Sequence, residues 1–198
     1  MTAARLHTLA GKLAAAGAVL AAGCGGEPPP TAAPDRVPDQ AGLALTADGA
    51  GRLSAATPFD SAAVRDALPA GFTTERHDGP AGEPVIWALR DGQIVFEVYA
   101  AGEAGAGEAG ASVGRIDAPS DLVRGPGGAQ PGQTFAEAGG AALDCTLGTG
   151  DLRDRAVCRG AGVDLVFADR ALVGQTVLPP DAALAGAFLE RLVWRADG

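Results

Sequence analysis

The sequence predicts an α+β fold, in which short helices lie on one face of one or more antiparallel sheets. Short segments that alternate apolar and polar residues recur from residue 72 to residue 194, as half-buried strands do. Helix-capping residues precede short apolar segments at three places. Residues 41–198 are numerous enough for one globular domain with a sizeable core. Helices on one side of an antiparallel sheet bury all these apolar surfaces.

Residues 1–23 have the pattern of an export signal. Arg5 and Lys12 precede the apolar run Leu13–Ala22, and no acidic residue occurs before Glu27. About ten apolar residues span only about 15 Å as a helix, whereas a bilayer core is roughly 30 Å thick. We therefore expect a signal peptide here and not a transmembrane anchor.

The end of this segment, Leu20-Ala21-Ala22-Gly23-Cys24, resembles a bacterial lipobox, in which the cysteine is acylated and becomes the mature N-terminus. Leu20 lies four places before the cysteine, where three is commoner. An ordinary signal peptide with an incidental Cys24 is the alternative. Buried acyl chains contribute roughly 0.8 kcal/mol per methylene, so lipidation of Cys24 would anchor the chain to a membrane. Gly25 follows the cysteine, at the position where an aspartate would indicate retention in the inner membrane. We therefore expect the protein at the outer membrane, facing the periplasm.

Residues 24–40 are expected to form a disordered tether between the lipid and the domain. The segment contains five prolines and several charges but no apolar periodicity. Such a composition buries too little surface to fold.

The mature chain is acidic. Removal of Arg5 and Lys12 from the 15 basic residues leaves 13, against 24 acidic residues, a formal charge of about −11. Nucleic acids and anionic lipid surfaces need clustered positive charge, so neither is expected as the main partner. A cationic partner remains possible on charge alone.

The first half of the domain predicts a strand and turn, a helix and a strand, in that order. Leu43–Thr46 alternates weakly before Asp48-Gly49. Asp60 or Ser61 caps a helix that Pro69 ends, and residues 72–77 alternate as a strand.

A hairpin is the strongest local prediction. Residues 85–89 and 94–99 are rich in apolar, β-branched and aromatic residues, and they flank the turn Arg90–Gln93, whose Asp-Gly pair accepts positive φ angles. Residues 101–112 are a low-complexity surface loop, and Val113–Ile116 returns to the sheet.

The second half predicts a helix followed by strands. Thr134–Glu137 is a capping box, although Gly139 and Gly140 weaken the helix that it starts. Short strands follow at 143–147, 156–159 and 163–167, then a helical turn capped by Asp181. Residues 190–194 form a closing strand, with a helix as the alternative.

Two similar helix-plus-meander units are possible, at residues 43–100 and 113–198. An offset of 71 residues places Thr74 on Cys145 and Trp87 on Cys158, whereas the helices need an offset of about 76. Either an internal duplication or the chance convergence of two helix-plus-meander units explains this pattern.

Cys145 and Cys158 are the cysteines left after Cys24. Export places them in an oxidising compartment, which predicts a disulfide. The alternative, a metal or nucleophile site, lacks a histidine after His77.

Several short motifs resemble the RpoE-regulated lipoprotein family, a group of unknown function in the proteobacterial envelope. They are the lipobox, Thr57-Pro58-Phe59, residues 132–137, the two cysteines, Leu178-Pro179-Pro180 and Leu192-Val193-Trp194. The resemblance implies an outer-membrane lipoprotein of the envelope stress response and supplies no catalytic residue.

No residue is predicted to be catalytic, and no cofactor or metal is expected. His77 beside Asp78 has no serine-nucleophile motif to serve, and Asp151, Asp154 and Asp164 do not form a calcium loop. Glu75 and Glu97 are an acid pair only if the strands bring them together. The aromatic residues of the strands, Trp87, Phe96, Tyr99 and Trp194, are expected in the core.

These observations favour a non-catalytic envelope lipoprotein that binds or supports another envelope component, most simply a protein. The alternative is a periplasmic inhibitor of a cationic hydrolase such as lysozyme, which the acidity and the disulfide suggest.

Overall fold

Two four-stranded meanders join edge to edge to form one antiparallel sheet. The computed structural model describes residues 43–79, 82–102 and 110–196, all within one unit of residues 37–198. The expected signal peptide, Cys24 and the tether lie outside the described residues. The first meander contains β3 (Phe72–Asp78), β4 (Pro84–Arg90), β5 (Gln93–Ala100) and β6 (Val113–Ala118). The second contains β7 (Asp144–Leu147), β8 (Arg155–Arg159), β9 (Val163–Ala168) and β10 (Phe188–Arg195).

The two meanders meet through their last strands. The strand order is β3-β4-β5-β6-β10-β9-β8-β7, so β3 and β7 are the two edges. At the junction β6 and β10 run antiparallel, with Asp117 opposite Val193 and Ile116 opposite Trp194. This junction is the seam of the sheet.

The expected α+β class is wrong, because the described residues are mostly antiparallel β-structure. Their helices are α1 (Ser61–Ala67), with seven residues, and the single turn α2 (Asp181–Leu184), with four. Short 3-10 turns occur at 126–128, 140–142, 150–152 and 170–172. Several helices packed in a layer are therefore absent from this part of the chain.

Two of the three expected capping signals form, at Asp60 and at Thr134, and only the first is followed by a longer helix; the expected cap by Asp181 is wrong. Asp60 Oδ1 accepts hydrogen bonds from the backbone N–H groups of Ala62 and Ala63, at 2.9 and 3.2 Å, and α1 follows. The Thr134–Glu137 capping box also closes, because the Glu137 carboxylate accepts from the Thr134 N–H at 2.9 Å. A single turn results, since Gly139 adopts φ 72°. Asp181 is the first residue of α2, and Pro180 occupies the cap position.

The predicted hairpin is confirmed. Asp91 and Gly92 adopt φ angles of 52° and 76°, as a two-residue turn between twisted strands requires. A smaller hairpin, β1 (Leu45–Thr46) with β2 (Gly49–Ala50), lies where the strand-turn signal predicted it. The Trp194 indole N–H donates to the Ala47 carbonyl at 2.7 Å, which attaches this hairpin to β10.

The hydrophobic core covers one face of the sheet across both meanders. Alternate residues of the central strands enter one continuous cluster with α1 and the loops. Phe72 and Phe96 stack at 6.0 Å in the first meander, and Phe135 meets Phe167 edge-on at 5.0 Å in the second. We call this the covered face.

The loop that leads into each meander makes the same contacts with the last strand of that meander. In the first, Phe59 N–H donates to Ala111 and Val113 N–H donates to Thr57; in the second, Phe135 N–H donates to Ala187 and Leu189 N–H donates to Gln133. Each residue of the second set lies 76 positions after its counterpart. The register of both last strands also shifts at the matching place, after Val113 and after Leu189. The strand β6, which the predicted boundaries placed in the second unit, completes the first meander.

Candidate functional site on the open face of the sheet

The face opposite the core carries charged and aromatic side chains in the central strands. Phe96 and Val98 of β5 enter the core, so Glu97 and Tyr99 point to the other side. The same alternation directs Arg115 and Asp117 of β6, and Arg191 and Arg195 of β10, to that side. We call it the open face.

Asp117 lies at the centre of the open face and is fully buried. Its side chain is 0% exposed, and Arg115 donates to both carboxylate oxygens, from Nε at 2.7 Å and from Nη2 at 2.9 Å. Arg191 adds a third contact across the seam, from Nη1 at 3.3 Å. A buried carboxylate is tolerated only when it is paired and hydrogen-bonded in this way. Asp117 therefore ties the two meanders together on the side away from the core.

Arg115 and Arg191 differ in how completely their guanidinium groups are hydrogen-bonded. Burial lowers the pKa of Arg115, but its hydrogen bond to Asp117 and the charges of Asp117 and Asp151 raise that pKa above its ordinary value. Burial likewise lowers the pKa of Arg191, and contacts with Glu190 and Asp117 raise it overall. The Nε atom of Arg191, however, is buried without a hydrogen-bond partner among the described residues. Arg115 is therefore the stronger partner of Asp117.

Tyr99 closes one side of this centre. The Arg115 guanidinium lies 4.3 Å from the centroid of the Tyr99 ring, and the Tyr99 hydroxyl donates to Glu97 at 3.2 Å. Burial raises the pKa of Tyr99, and the negative charges of Asp117 and Glu97 raise it further. The phenol consequently keeps its proton and serves as a hydrogen-bond donor.

Further ion pairs extend the charged network over the second meander. Glu190 contacts both Arg155 and Arg191, and Arg195 contacts Asp164. Burial raises the pKa of Glu190, but the hydrogen bonds from Arg191 and Arg155 lower it below its ordinary value. Positive and negative groups thus alternate from β5 to β8.

The first meander presents an aromatic and acidic patch. Trp87 is half-buried on β4, with Glu75 opposite it on β3 and Glu97 opposite it on β5. The His77 ring stacks on Trp87 at 3.8 Å, and its Nε2 lies 3.2 Å from the Glu75 carboxylate. We call Glu75, His77, Trp87 and Glu97 the Trp87 patch.

Most of the acidic candidates considered from the sequence, and His77, lie on the open face. His77, Glu75 and Glu97 belong to the Trp87 patch. Asp151 bonds Arg115 at 2.8 Å, and Asp154 accepts from the Gly174 N–H at 2.9 Å. Phe96 and Trp194 are buried as expected, whereas Trp87 and Tyr99 are only half-buried.

The expected disulfide is present in the structure. Cys145 and Cys158 face each other across β7 and β8, with an S–S distance of 2.01 Å and a Cα–Cα distance of 4.0 Å. It fastens the edge strand β7 to its neighbour. Cys24, the expected lipidation site, lies outside the described residues.

The described residues contain neither a metal-binding cluster nor a membrane-spanning helix. There, His, Cys, Asp and Glu side chains do not form a group of three or more that could hold a metal ion. None of the described helices is long and apolar enough to cross a membrane.

Sequence reasoning missed the buried centre of the open face. Arg115 and Asp117 alternate with buried residues, as ordinary outward-facing residues do, and Arg191 lies on a different strand far along the chain. The two-residue spacing of Arg115 and Asp117 places both on one side of the strand, which is the only local signal for their pairing.

The family of the chain follows from a family model that covers most of its length. The model described as "Protein of unknown function (DUF1131)" matches residues 39–196. The chain belongs to this family. The expectation of an unknown-function family is thereby confirmed, whereas lipidation and stress regulation remain predictions. None of the curated proteins matches the chain.

A solved structure shares the fold of this DUF1131 member. The uncharacterized protein yfeY from Escherichia coli matches with a TM-score of 0.52, over 77% of this chain and 98% of that chain. The two sequences are 18% identical. At that identity the similarity extends to the fold alone.

Proposed function

We propose that the protein is a non-catalytic, lipid-anchored envelope protein that binds another envelope component through the open face. The observation that carries the proposal is the unequal use of the two faces of the sheet. The covered face is sealed by the core, whereas the open face holds an ordered set of arginines, carboxylates and half-buried aromatic residues. Paired charges with fixed orientations favour specific recognition of a partner.

The proposed location is the periplasmic side of the outer membrane, reached through lipidation at Cys24. The lipobox-like sequence before Cys24 and the acidic, proline-rich segment after it support this location. Membership of the DUF1131 family is compatible with a place in the envelope stress regulon, which the motif resemblance suggests.

Anchoring is tested by fractionation of cells that produce the wild-type chain or Cys24→Ala. We expect the wild-type protein in the detergent-extracted membrane fraction and the variant in the soluble periplasmic fraction, because the acyl chains supply the membrane affinity. Equal membrane partitioning of the two proteins would contradict lipid anchoring. Density-gradient separation of the membranes then distinguishes the outer from the inner membrane.

Partner binding is tested by site-specific photo-crosslinking in cells. A photoreactive residue at exposed Glu75 or Arg159 samples the open face, and one at exposed Ala62 of α1 is the matched control on the opposite side. We expect a discrete crosslinked product, identified by mass spectrometry, from the open-face positions alone. Equal labelling from all three positions, or none, would refute the open face as the binding surface.

The Trp87 patch supports a second candidate function, inhibition of a cationic hydrolase. The carboxylates of Glu75 and Glu97, on both sides of the Trp87 indole, attract a cationic side chain by charge. Capture of a basic hydrolase that is lost at moderate salt and in Glu75→Gln would favour this candidate. Salt-resistant capture of envelope assembly proteins would favour the first.

A further inference from the structure

A groove lies on the open face of the second meander, away from the Trp87 patch. Its volume is about 670 Å³, and its lining runs from β6 across β10, β9 and β8 to the loop 148–152. Ligand sites in proteins commonly have volumes of roughly 300–1,000 Å³. The groove is thus large enough for a small molecule.

The loop 148–152 forms one wall because it folds back over the sheet. Leu152 is buried against Val166 and Val193, in a small cluster separate from the main core. Gly148 permits this fold, since a Cβ atom there would lie 2.1 Å from the Leu152 carbonyl oxygen. The apolar part of the lining is made of Leu147, Leu152, Val157, Val163 and Val193.

Three guanidinium groups line the groove, and two of them are held by carboxylates. Arg115 is fixed by Asp117 and by Asp151, at 2.8 Å, and Arg195 is fixed by Asp164. These two arginines are preorganised, because their orientations do not depend on a ligand.

Arg159, the third, is exposed and has no carboxylate within ion-pairing distance among the described residues. Its neighbours in register are Asp164, which Arg195 engages, and Asp144 on β7. Two carboxylates, Asp151 and Asp164, line the groove with the three arginines. Asp117 pairs with Arg115 and Asp144 lies opposite Arg159, so the groove carries no surplus of positive charge. The feature that favours an anion is the exposed Arg159 guanidinium, which makes no ion pair among the described residues.

We propose that this groove binds a small molecule that carries a carboxylate or phosphate group. The oxyanion pairs with the fork of Arg159, beside the fixed guanidinium of Arg195, and the apolar part of the ligand lies on Val157 and Val193. Planar guanidinium groups bind both kinds of oxyanion through two parallel hydrogen bonds. The proposal rests on the proposed function in taking the open face as the binding face.

Titration of the purified full-length lipoprotein with three matched probes tests the proposal. The probes are benzoate, phenyl phosphate and neutral benzyl alcohol, followed by calorimetry and by the NMR signals of the arginine side chains. We expect saturable one-site binding of at least one anion and none of benzyl alcohol. Tighter binding of benzoate identifies a carboxylate ligand, and tighter binding of phenyl phosphate identifies a phosphate ligand.

Three variants locate the site. Arg159→Gln should weaken anion binding at least tenfold, and Thr146→Trp, at an exposed lining position, should block it without a change of charge. Arg170→Gln removes an exposed arginine outside the groove and should bind like the wild type. Absence of saturable binding, or equal binding by Arg159→Gln and Arg170→Gln, would overturn the proposal.

The outcomes separate this proposal from the proposed function. Open-face crosslinks without anion binding would refute the groove as an oxyanion site and leave the partner surface intact. Anion binding without open-face crosslinks would support the groove and refute the partner surface.

Discussion

A carboxylate that is buried on the open side of a sheet depends on the cations that cover it. Asp117 pairs with Arg115 on its own strand and with Arg191 on the neighbouring strand. The contact with Arg191 crosses the seam between the meanders, and the contact with Arg115 lies beside it. Loss of one partner of a buried ion pair costs more than the pair contributes, because the remaining charge stays desolvated.

We therefore expect Asp117→Ala to lower the free energy of unfolding by roughly 3–5 kcal/mol, since two guanidinium groups lose their buried partner. Asp151→Ala is the matched control, because Asp151 bonds the same Arg115 but its side chain is 58% exposed. Exposed pairs contribute only about 0–1 kcal/mol. Urea unfolding at neutral pH measures both, and equal losses would show that Asp117 is not specially stabilising.

Glu190 predicts how stability depends on pH. The hydrogen bonds from Arg191 and Arg155 place its folded pKa below the unfolded value of 4.5, so the unfolded chain binds more protons between the two pKa values. The contribution of Glu190 is thus complete above pH 4.5 and is lost as the pH falls through the folded pKa. The stability difference between wild type and Glu190→Gln should be constant above pH 4.5 and shrink below it. Urea titrations from pH 7 to pH 3 measure it, and a constant difference throughout would contradict the prediction.

Local signals determined most elements that the sequence predicted correctly. The Asp91-Gly92 turn and the Asp60 cap act within a few residues, so their chemistry is readable from the sequence. The capping box at Thr134 shows the limit of such signals. It forms, but a Cβ at Gly140 would lie 2.5 Å from the Phe135 ring, so close packing against that ring replaces a continued helix.

Contacts between distant strands were not predictable. The pairing of β6 with β10 joins residues 74 to 80 positions apart, and it alone brings Arg191 to Asp117. The offset of 71 residues also failed to align the meanders. When the strands of the two meanders are aligned outward from the seam, Cys145 corresponds to Arg76 and Cys158 corresponds to Ile86. A single offset fails because the turns of the two meanders differ in length.

The disulfide stabilises the element that supports the groove. β7 is an edge strand that leads into the loop 148–152, and Cys145 joins it to Cys158 over a separation of 13 residues. Closure of a loop of about this length contributes roughly 3 kcal/mol.

We expect the double variant Cys145→Ala/Cys158→Ala to lose on the order of 3 kcal/mol of unfolding free energy. Reductant should destabilise the wild type by a similar amount and leave the double variant unchanged. Chemical denaturation with and without reductant measures this, and a wild type that is insensitive to reductant although its thiols become alkylated would contradict it.

At the scale of the whole molecule, we infer that the two meanders are repeats of one unit. The matching hydrogen bonds of Phe59 and Phe135, and the matching register shifts, support a duplication. The offset of 76 residues places Asp117 on Val193, and these two face each other at the seam. Their equivalence means that the seam has approximate twofold symmetry, broken by one buried carboxylate.

Two repeats unfold either independently or in one cooperative transition. Here the continuous core favours a single cooperative transition. The cluster on the covered face runs without interruption from Phe72 and Phe96 to Phe167, and Asp117 ties the seam on the other face. Damage to either meander should therefore destabilise both.

The two tryptophans provide a separate probe of each meander, because Trp87 lies on β4 and Trp194 on β10. In single-tryptophan hosts made by Trp87→Phe or Trp194→Phe, Ile86→Ala in the first meander or Leu165→Ala in the second should remove about 2–5 kcal/mol. Both residues are buried in the shared cluster. We expect the midpoints of both fluorescence transitions to shift together for either substitution. A shift confined to the tryptophan of the substituted meander would show that the seam does not couple them, and the open face would then be a junction between two independently folding units.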